Sequence, residues 1–312
     1  MSVKDVGARQ AGRTRGSRPA ATRLRAKSTI SAYLFILPFL ILFGGLTAYP
    51  IGYGIYISLH HWNPIVGNNG WVGLSTYAEL LFNGSSLFSQ QFWQGLGHTV
   101  LFVGISVPFL VTVPLLIAYG IYRASGKSFF RPLYFFPTTL SVTAVTSIWA
   151  WILQTQGGAV NQILGVHIPW LVAEPWAWIS IDLVTVWWTS GFNMIILYAG
   201  LTQLPKTVFD AAAIDGAGVF STFFSVAVPQ LKPVLVFVGI ISTIASFNLF
   251  AQPYLLTGGG PGFSTSPITM FIYGEGFNAM HMGTAAAMAF LMGIVLAAIS
   301  LGQYWFSRGG GQ

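Results

Sequence analysis

Six long stretches of this chain carry no charged side chain: residues 28–78, 80–122, 132–173, 183–205, 233–274 and 276–307. Each exceeds the roughly 20 apolar residues that one membrane-crossing helix needs. Inside lipid the backbone has no water to bind, so runs of this kind predict helices. Membrane β-strands would alternate apolar and polar positions over about 10 residues, and no such alternation is visible. The pattern predicts an all-α membrane protein. It is a six-helix bundle with spans near 31–59, 95–122, 132–154, 178–200, 233–256 and 281–306.

Charge orients these spans. With the N-terminus in the cytoplasm, the inner segments are 1–30, 123–131, 201–232 and 307–312, and they contain all 14 Lys and Arg residues. Positive charge accumulates on the cytoplasmic side of membrane proteins, and an odd number of spans would put Arg308 outside. Glu79, Glu174, Asp182 and Glu275 fall at or near the outer side. Trp62, Trp71, Trp93, Trp170, Trp176 and Trp178 cluster in or beside the outer loops, as interfacial aromatic residues do.

Composition agrees. Only 7% of residues are charged and 54% are hydrophobic, against about 25% charged in a soluble domain. The tail at 1–30 is basic and too poor in apolar residues to fold alone. A cleavable signal peptide would carry an apolar core of about 7–15 residues; here the apolar run continues past Ser58, which predicts a retained first span. Cysteine is absent, so disulfide and thiolate chemistry are excluded.

Proline and glycine shape the spans. Pro38 and Pro50 interrupt the first, and Pro108 and Pro114 predict a bend in the second. Ala285, Ala289, Gly293 and Ala297 form a small-residue seam on the sixth, for packing within this chain or against a second membrane subunit. The loop at 257–268 is dense in Gly and Pro and is read as a shaped outer loop.

The polar gap at 201–232 has its own grammar. Pro205 suits a helix start. Phe209, Asp210, Ala211, Ala212 and Ile214 continue that helix, and Gly216 can take the left-handed conformation that ends it. Asp215 is expected to cap a following short helix whose Phe220, Phe223 and Phe224 share one side. Pro229 and Pro233 close the segment. Small alanines permit close approach of another protein, and Val208, Phe209 and Ile214 are candidates to enter its groove.

These residues resemble the EAA loop of binding-protein-dependent ABC importer permeases, in particular the carbohydrate uptake subfamily of maltose and glycerol-3-phosphate type. Ala211, Ala212, Asp215, Gly216, Ala217, Phe223 and Pro229 match that pattern, while Asp210 stands where the family has Glu. The segments Ala-Tyr-Pro-Ile-Gly-Tyr-Gly-Ile-Tyr-Ile-Ser-Leu at 48–59 and Leu-Thr-Gly-Gly-Gly-Pro at 256–261 look like the same subfamily. The resemblance implies a type I ABC importer fold over 31–306. It also implies a second homologous permease subunit, two cytoplasmic ATPase subunits docked on the 201–232 loop, and an extracytoplasmic solute-binding protein. ATP and Mg would be bound by the partner ATPase, and this chain would hold no cofactor. The setting would be the bacterial plasma (inner) membrane.

Other chemistry is thin. Gly120 to Ser128 nearly spells a phosphate loop, but five residues rather than four separate its glycines. His60 and His61 are adjacent, without a nearby carboxylate. No His-Glu-x-x-His pair and no Gly-x-Ser-Gly elbow supports an intramembrane enzyme. No midspan carboxylate supports an ion-coupled secondary transporter. Asn193, Asn248 and Gln252 fall at membrane depth. They either bond between helices or, with Trp188 and Phe247, line a polar route for sugar hydroxyls. Asp182 is either an interfacial residue or one at the way in. Nothing in the composition suggests nucleic-acid binding.

Overall fold

The computed structural model describes residues 34–124 and 126–309. The basic tail at 1–30 lies outside them, as does the side chain of Arg308. Contacts divide the chain into 1–54 and 55–312, and each unit is described by itself.

The first unit holds most of helix α1 (Leu34–Ser58). Pro50 cannot donate to the carbonyl four residues earlier. Just ahead of it the helix widens into a π turn at Gly44–Ala48, with Tyr49 N–H bonded to Gly44 O.

The second unit opens on a hairpin, β1 (His60–Asn63) and β2 (Gly67–Trp71), paired antiparallel with Trp62 opposite Asn68. The Asn63 side chain accepts from the Ile65 and Val66 amides and so closes the turn. Helix α2 (Ser75–Phe82) leads to α3 (Leu87–Arg123), which continues through both Pro108 and Pro114. Then come α4 (Lys127–Phe135), a 3-10 turn at Phe136–Thr139, α5 (Val142–Ile152), α6 (Ala159–Leu164) and α7 (Trp176–Gln203). The polar gap forms α8 (Lys206–Ile214) and α9 (Val219–Gln230). Four further helices follow: α10 (Lys232–Phe247), α11 (Ala251–Leu256), α12 (Ile268–Tyr273) and α13 (Met282–Gly309).

Among the described residues four helices are long and apolar enough to cross a membrane, α1, α3, α7 and the 282–306 part of α13, or six if two bent pairs each count as one span. The expected third span bends by 94° between the 3-10 turn and α5, and α9 meets α10 at 73°. The expected fifth span is not continuous either. It stops at Phe247 and resumes at Ala251, where Phe250 takes an unhelical φ of −143°. Charge-free runs report where apolar residues lie; they do not report bends inside them.

The core is built on α3 and α7. At one end Leu115, Tyr119, Leu197 and Leu201 pack with Phe223 and Leu231. In the middle Phe102, Ile181, Val184 and Leu249 meet. At the other end Phe92, Phe247 and Met288 are joined by Leu80 from α2. Glycine permits one close crossing. A Cβ at Gly95 would sit 2.8 Å from Ile268 Cα and 2.7 Å from the Phe271 ring. Gly95→Ala should therefore force α3 and α12 apart at about 1–3 kcal/mol, read as a lower thermal unfolding midpoint in detergent.

The loop at 257–267 is shaped, as its composition suggested. Gly258, Gly259 and Gly262 all have positive φ. The Thr257 and Thr265 hydroxyls share a 2.8 Å hydrogen bond, and Thr265 lies 2.7 Å from Gly260 O, which accepts from it. His98 on α3 and Trp178 on α7 hydrogen-bond to Ser266 O and Ser264 O. On α13 the small-residue seam divides: Ala285 is buried, whereas Ala289, Gly293 and Ala297 are exposed.

Candidate functional site

Two places concentrate the residues singled out in the sequence. The first is the α8–α9 connection. Pro205 is the N-cap of α8, and Leu204 and Phe209, placed as a hydrophobic staple, both pack on the core cluster beneath. The helix ends in a complete Schellman motif. Gly216 has φ +73°, its N–H bonds to Ala213 O at 3.1 Å, and Ala217 N–H bonds to Ala212 O at 2.9 Å. Asp215 is the C-cap of α8, and Gly218, not Asp215, is the N-cap of the next helix. The Schellman turn uses three residues before the chain can start a new helix, which moves the cap beyond Asp215.

The element has two faces. Phe209 sits 5.5 Å from the Tyr122 ring, and Ala212 is buried. Asp210, Ala211, Ala213, Ile214 and Asp215 face out, and Ile214 is 86% exposed. Neither aspartate has an ion pair within the described residues. The aromatic trio does not share a side. Phe223 is buried against the Tyr119 ring, while Phe220 and Phe224, one turn apart, are exposed. Tyr119 also donates to Val219 O at 3.3 Å, so two tyrosines at the end of α3 seat α8 and α9. A π turn at Phe223–Ala227 precedes Pro229, repeating the arrangement before Pro50.

The second place is a cavity of about 640 Å³ between α7, α10 and the bent α4–α5 segment. Trp188, Asn193, Asn248 and Gln252 line it; Phe247 does not. Phe247 is fully buried among Phe92 and Met288, because it turns away just before the helix breaks. Asn193 bonds between helices, donating to Leu110 O at 2.8 Å and Ser242 Oγ at 3.0 Å. Leu110 O is the carbonyl that Pro114, lacking an N–H, leaves open in α3. Trp188 donates through Nε1 to Leu140 O at 3.2 Å, and Asn248 donates back to Ile244 O at 2.8 Å. The interruption at 248–250 brings Asn248 and Gln252 onto one wall.

Sequence reasoning passed over Thr185, Thr189, Phe192 and Ser246, which also line the cavity. Thr185, Trp188, Thr189 and Phe192 recur at helical spacing, and that stripe was the available signal. The Ser246 hydroxyl is buried without a hydrogen-bond partner among the described residues. None of the described residues that line the cavity is charged. Asp182 lies elsewhere, accepting a hydrogen bond from Ser106 across α3 and α7. His60 donates through Nδ1 to Tyr56 O at 2.7 Å and packs on the Tyr56 ring, while His61 is exposed. No group of His, Asp and Glu among the described residues is arranged to hold a metal.

Residues 72–309 match the family described as binding-protein-dependent transport system inner membrane component. The chain belongs to that family. It is a multi-pass membrane protein and an ABC transporter permease. A probable ABC transporter permease protein of Bacillus subtilis, YurN, is 30% identical over 91% of this chain and 98% of its own length. The lactose transport system permease LacF of Rhizobium radiobacter is 30% identical over 89% and 94%. The sulfoquinovosyl glycerol transport system permease SmoG of Agrobacterium fabrum is 30% identical over 84% and 85%. In fold the permease is similar to a chain of a bacterial ABC transporter that imports alginate, with a TM-score of 0.79, 20% identity, and coverage of 94% of this chain and all of that one.

Proposed function

We propose that this permease carries a sugar or sugar-like solute inward across the bacterial plasma membrane, driven by ATP bound to partner subunits. The cavity chemistry carries the reading. Trp188 and Phe192 offer flat apolar faces beside Asn193, Asn248, Gln252 and the Thr185 and Thr189 hydroxyls. Saccharides present that same alternation of apolar ring faces and hydroxyl edges. Relatives named for lactose and for trehalose/maltose transport favour the same class.

In this reading the N-terminus is cytoplasmic, and all fourteen basic residues then lie inside. The outward face of α8, with Asp210, Ala211, Ile214 and Asp215, docks in a groove of a cytoplasmic ATPase. Phe209, Ala212 and Phe223 anchor that element to the bundle, with Gly216, Ala217 and Pro229 setting its turns. Two ATPase subunits closing on ATP and Mg would move this permease and a second, homologous permease between inward- and outward-facing states. An extracytoplasmic solute-binding protein would deliver the solute.

The test is reconstitution. Liposomes holding this chain with its partner permease, ATPases and binding protein should accumulate a neutral di- or trisaccharide only with internal ATP. Liposomes holding the chain alone should accumulate none. Uptake by the chain alone would sink the subunit reading.

A further inference from the structure

The cavity described above has a neighbour. A second cavity, of about 440 Å³, is lined by Met194, Ile195, Tyr198 and Thr202 of α7, and by Arg131 and Phe135 of α4. The first takes its α7 wall from Thr185 to Asn193; the second takes it from Met194 to Thr202. At 1.5 Å per residue the two follow one another along about 25 Å of one helix, close to the roughly 30 Å of a bilayer core. Phe135 borders both.

Phe135 is held in place by backbone. It is the last residue of α4, where the chain tightens into the 3-10 turn. Gly191 of α7 lies against it: a Cβ there would come 2.9 Å from Phe135 Cα and 2.3 Å from Tyr134 O. Thr138 Oγ1 donates to Phe135 O at 2.6 Å. The lining changes character across the ring. On one side it is uncharged; on the other the Arg131 guanidinium lies over the Tyr198 ring, 3.9 Å from its centroid, and donates to the Tyr198 hydroxyl.

We infer that the Phe135 side chain is the barrier on this subunit's side of the solute pathway, separating a binding chamber from an exit chamber guarded by Arg131 and Tyr198. The inference rests on the transport reading given above and adds a gating residue to it. A phenyl ring carried on backbone that is packed against Gly191 and held in the 3-10 turn blocks a hydroxylated solute sterically and offers it no hydrogen bond. Movement of α4 against α7 opens the passage, and the Gly191 contact is where that sliding occurs.

The experiment uses the assembled transporter in liposomes preloaded with a labelled neutral disaccharide, without ATP. Phe135→Ala should release it about tenfold faster than the unmodified protein, as removing ~1.4 kcal/mol of barrier does. Phe135→Tyr, which keeps the ring, should stay as tight as the unmodified protein. The inference fails if Phe135→Ala is as tight as the unmodified complex. It also fails if Phe135→Tyr leaks as fast as Phe135→Ala, since the leak would then come from disturbed packing. ATP-driven uptake by the unmodified complex is read in parallel vesicles that contain ATP and no sugar. Its absence would remove the transport reading while leaving the leak comparison to judge the barrier.

Discussion

Asn193→Leu should destabilise this permease by about 2 kcal/mol, although leucine has a similar volume and better hydrophobicity. The argument starts in α3. Pro114 has no N–H, so the Leu110 carbonyl loses its bond within the helix, and Leu110 is buried at 4% exposure. The Asn193 side chain supplies the missing donor from α7 at 2.8 Å and reaches Ser242 on α10 at 3.0 Å. One side chain thus joins three helices. Interhelical hydrogen bonds in membrane proteins contribute about 0.6 kcal/mol on average and up to ~1.7, and an orphaned buried carbonyl costs about 1–3. A double-mutant cycle separates this account from simple loss of packing. Pro114→Ala restores an N–H to bond Leu110 O, so its combination with Asn193→Leu should be about 1 kcal/mol more stable than the two single effects predict. Denaturation in detergent reads both quantities. Strict additivity would mean that Asn193 does not stand in for the proline's bond.

The same asparagine illustrates how far the sequence was readable. An amide at membrane depth is expected either to bond between helices or to line a polar route. Asn193 does the first and also borders the cavity, so the two alternatives were not exclusive. Helical character and the position of α8 followed from charge spacing, because lipid leaves the backbone few options. The Gly216 turn was legible because left-handed backbone favours glycine. What stayed hidden depended on contacts between distant segments. The inward face of α8 is set where Phe209 meets Tyr122 and the cluster around Leu201, and nothing in the 209–217 run encodes that Ala212 is the alanine that turns inward. Phe247 and Asn248 are adjacent, yet one enters the core and the other the cavity. No proline or glycine lies at 248–250 itself, and the mark in the sequence is Pro253, which cannot donate to Leu249 O four residues earlier. The hairpin at 60–71 escaped because His-His-Trp-Asn and Gly-Asn-Asn-Gly-Trp lack strand alternation.

Ile214→Asp should abolish ATP-driven uptake while leaving the chain as stable as before. Ile214 is 86% exposed at the end of α8, between Asp210 and Asp215 in sequence, so inside this chain it contributes almost no packing. An isoleucine fully buried in a partner's groove contributes about 1.5–3 kcal/mol, and a carboxylate forced into the same groove adds its own desolvation cost. Together they should weaken ATPase association by about 100-fold, roughly 2.7 kcal/mol, which is enough to empty the dock at ordinary concentrations. Ala212→Trp supplies the contrast. Ala212 is 9% exposed and sits beside Phe209 on the inward face. Its enlargement should therefore lower the thermal midpoint of the isolated chain before any partner is added. Two measurements on each variant suffice: unfolding in detergent, and co-purification with the ATPase. A normal ATPase yield with Ile214→Asp would show that force enters the bundle elsewhere than through the exposed face of α8.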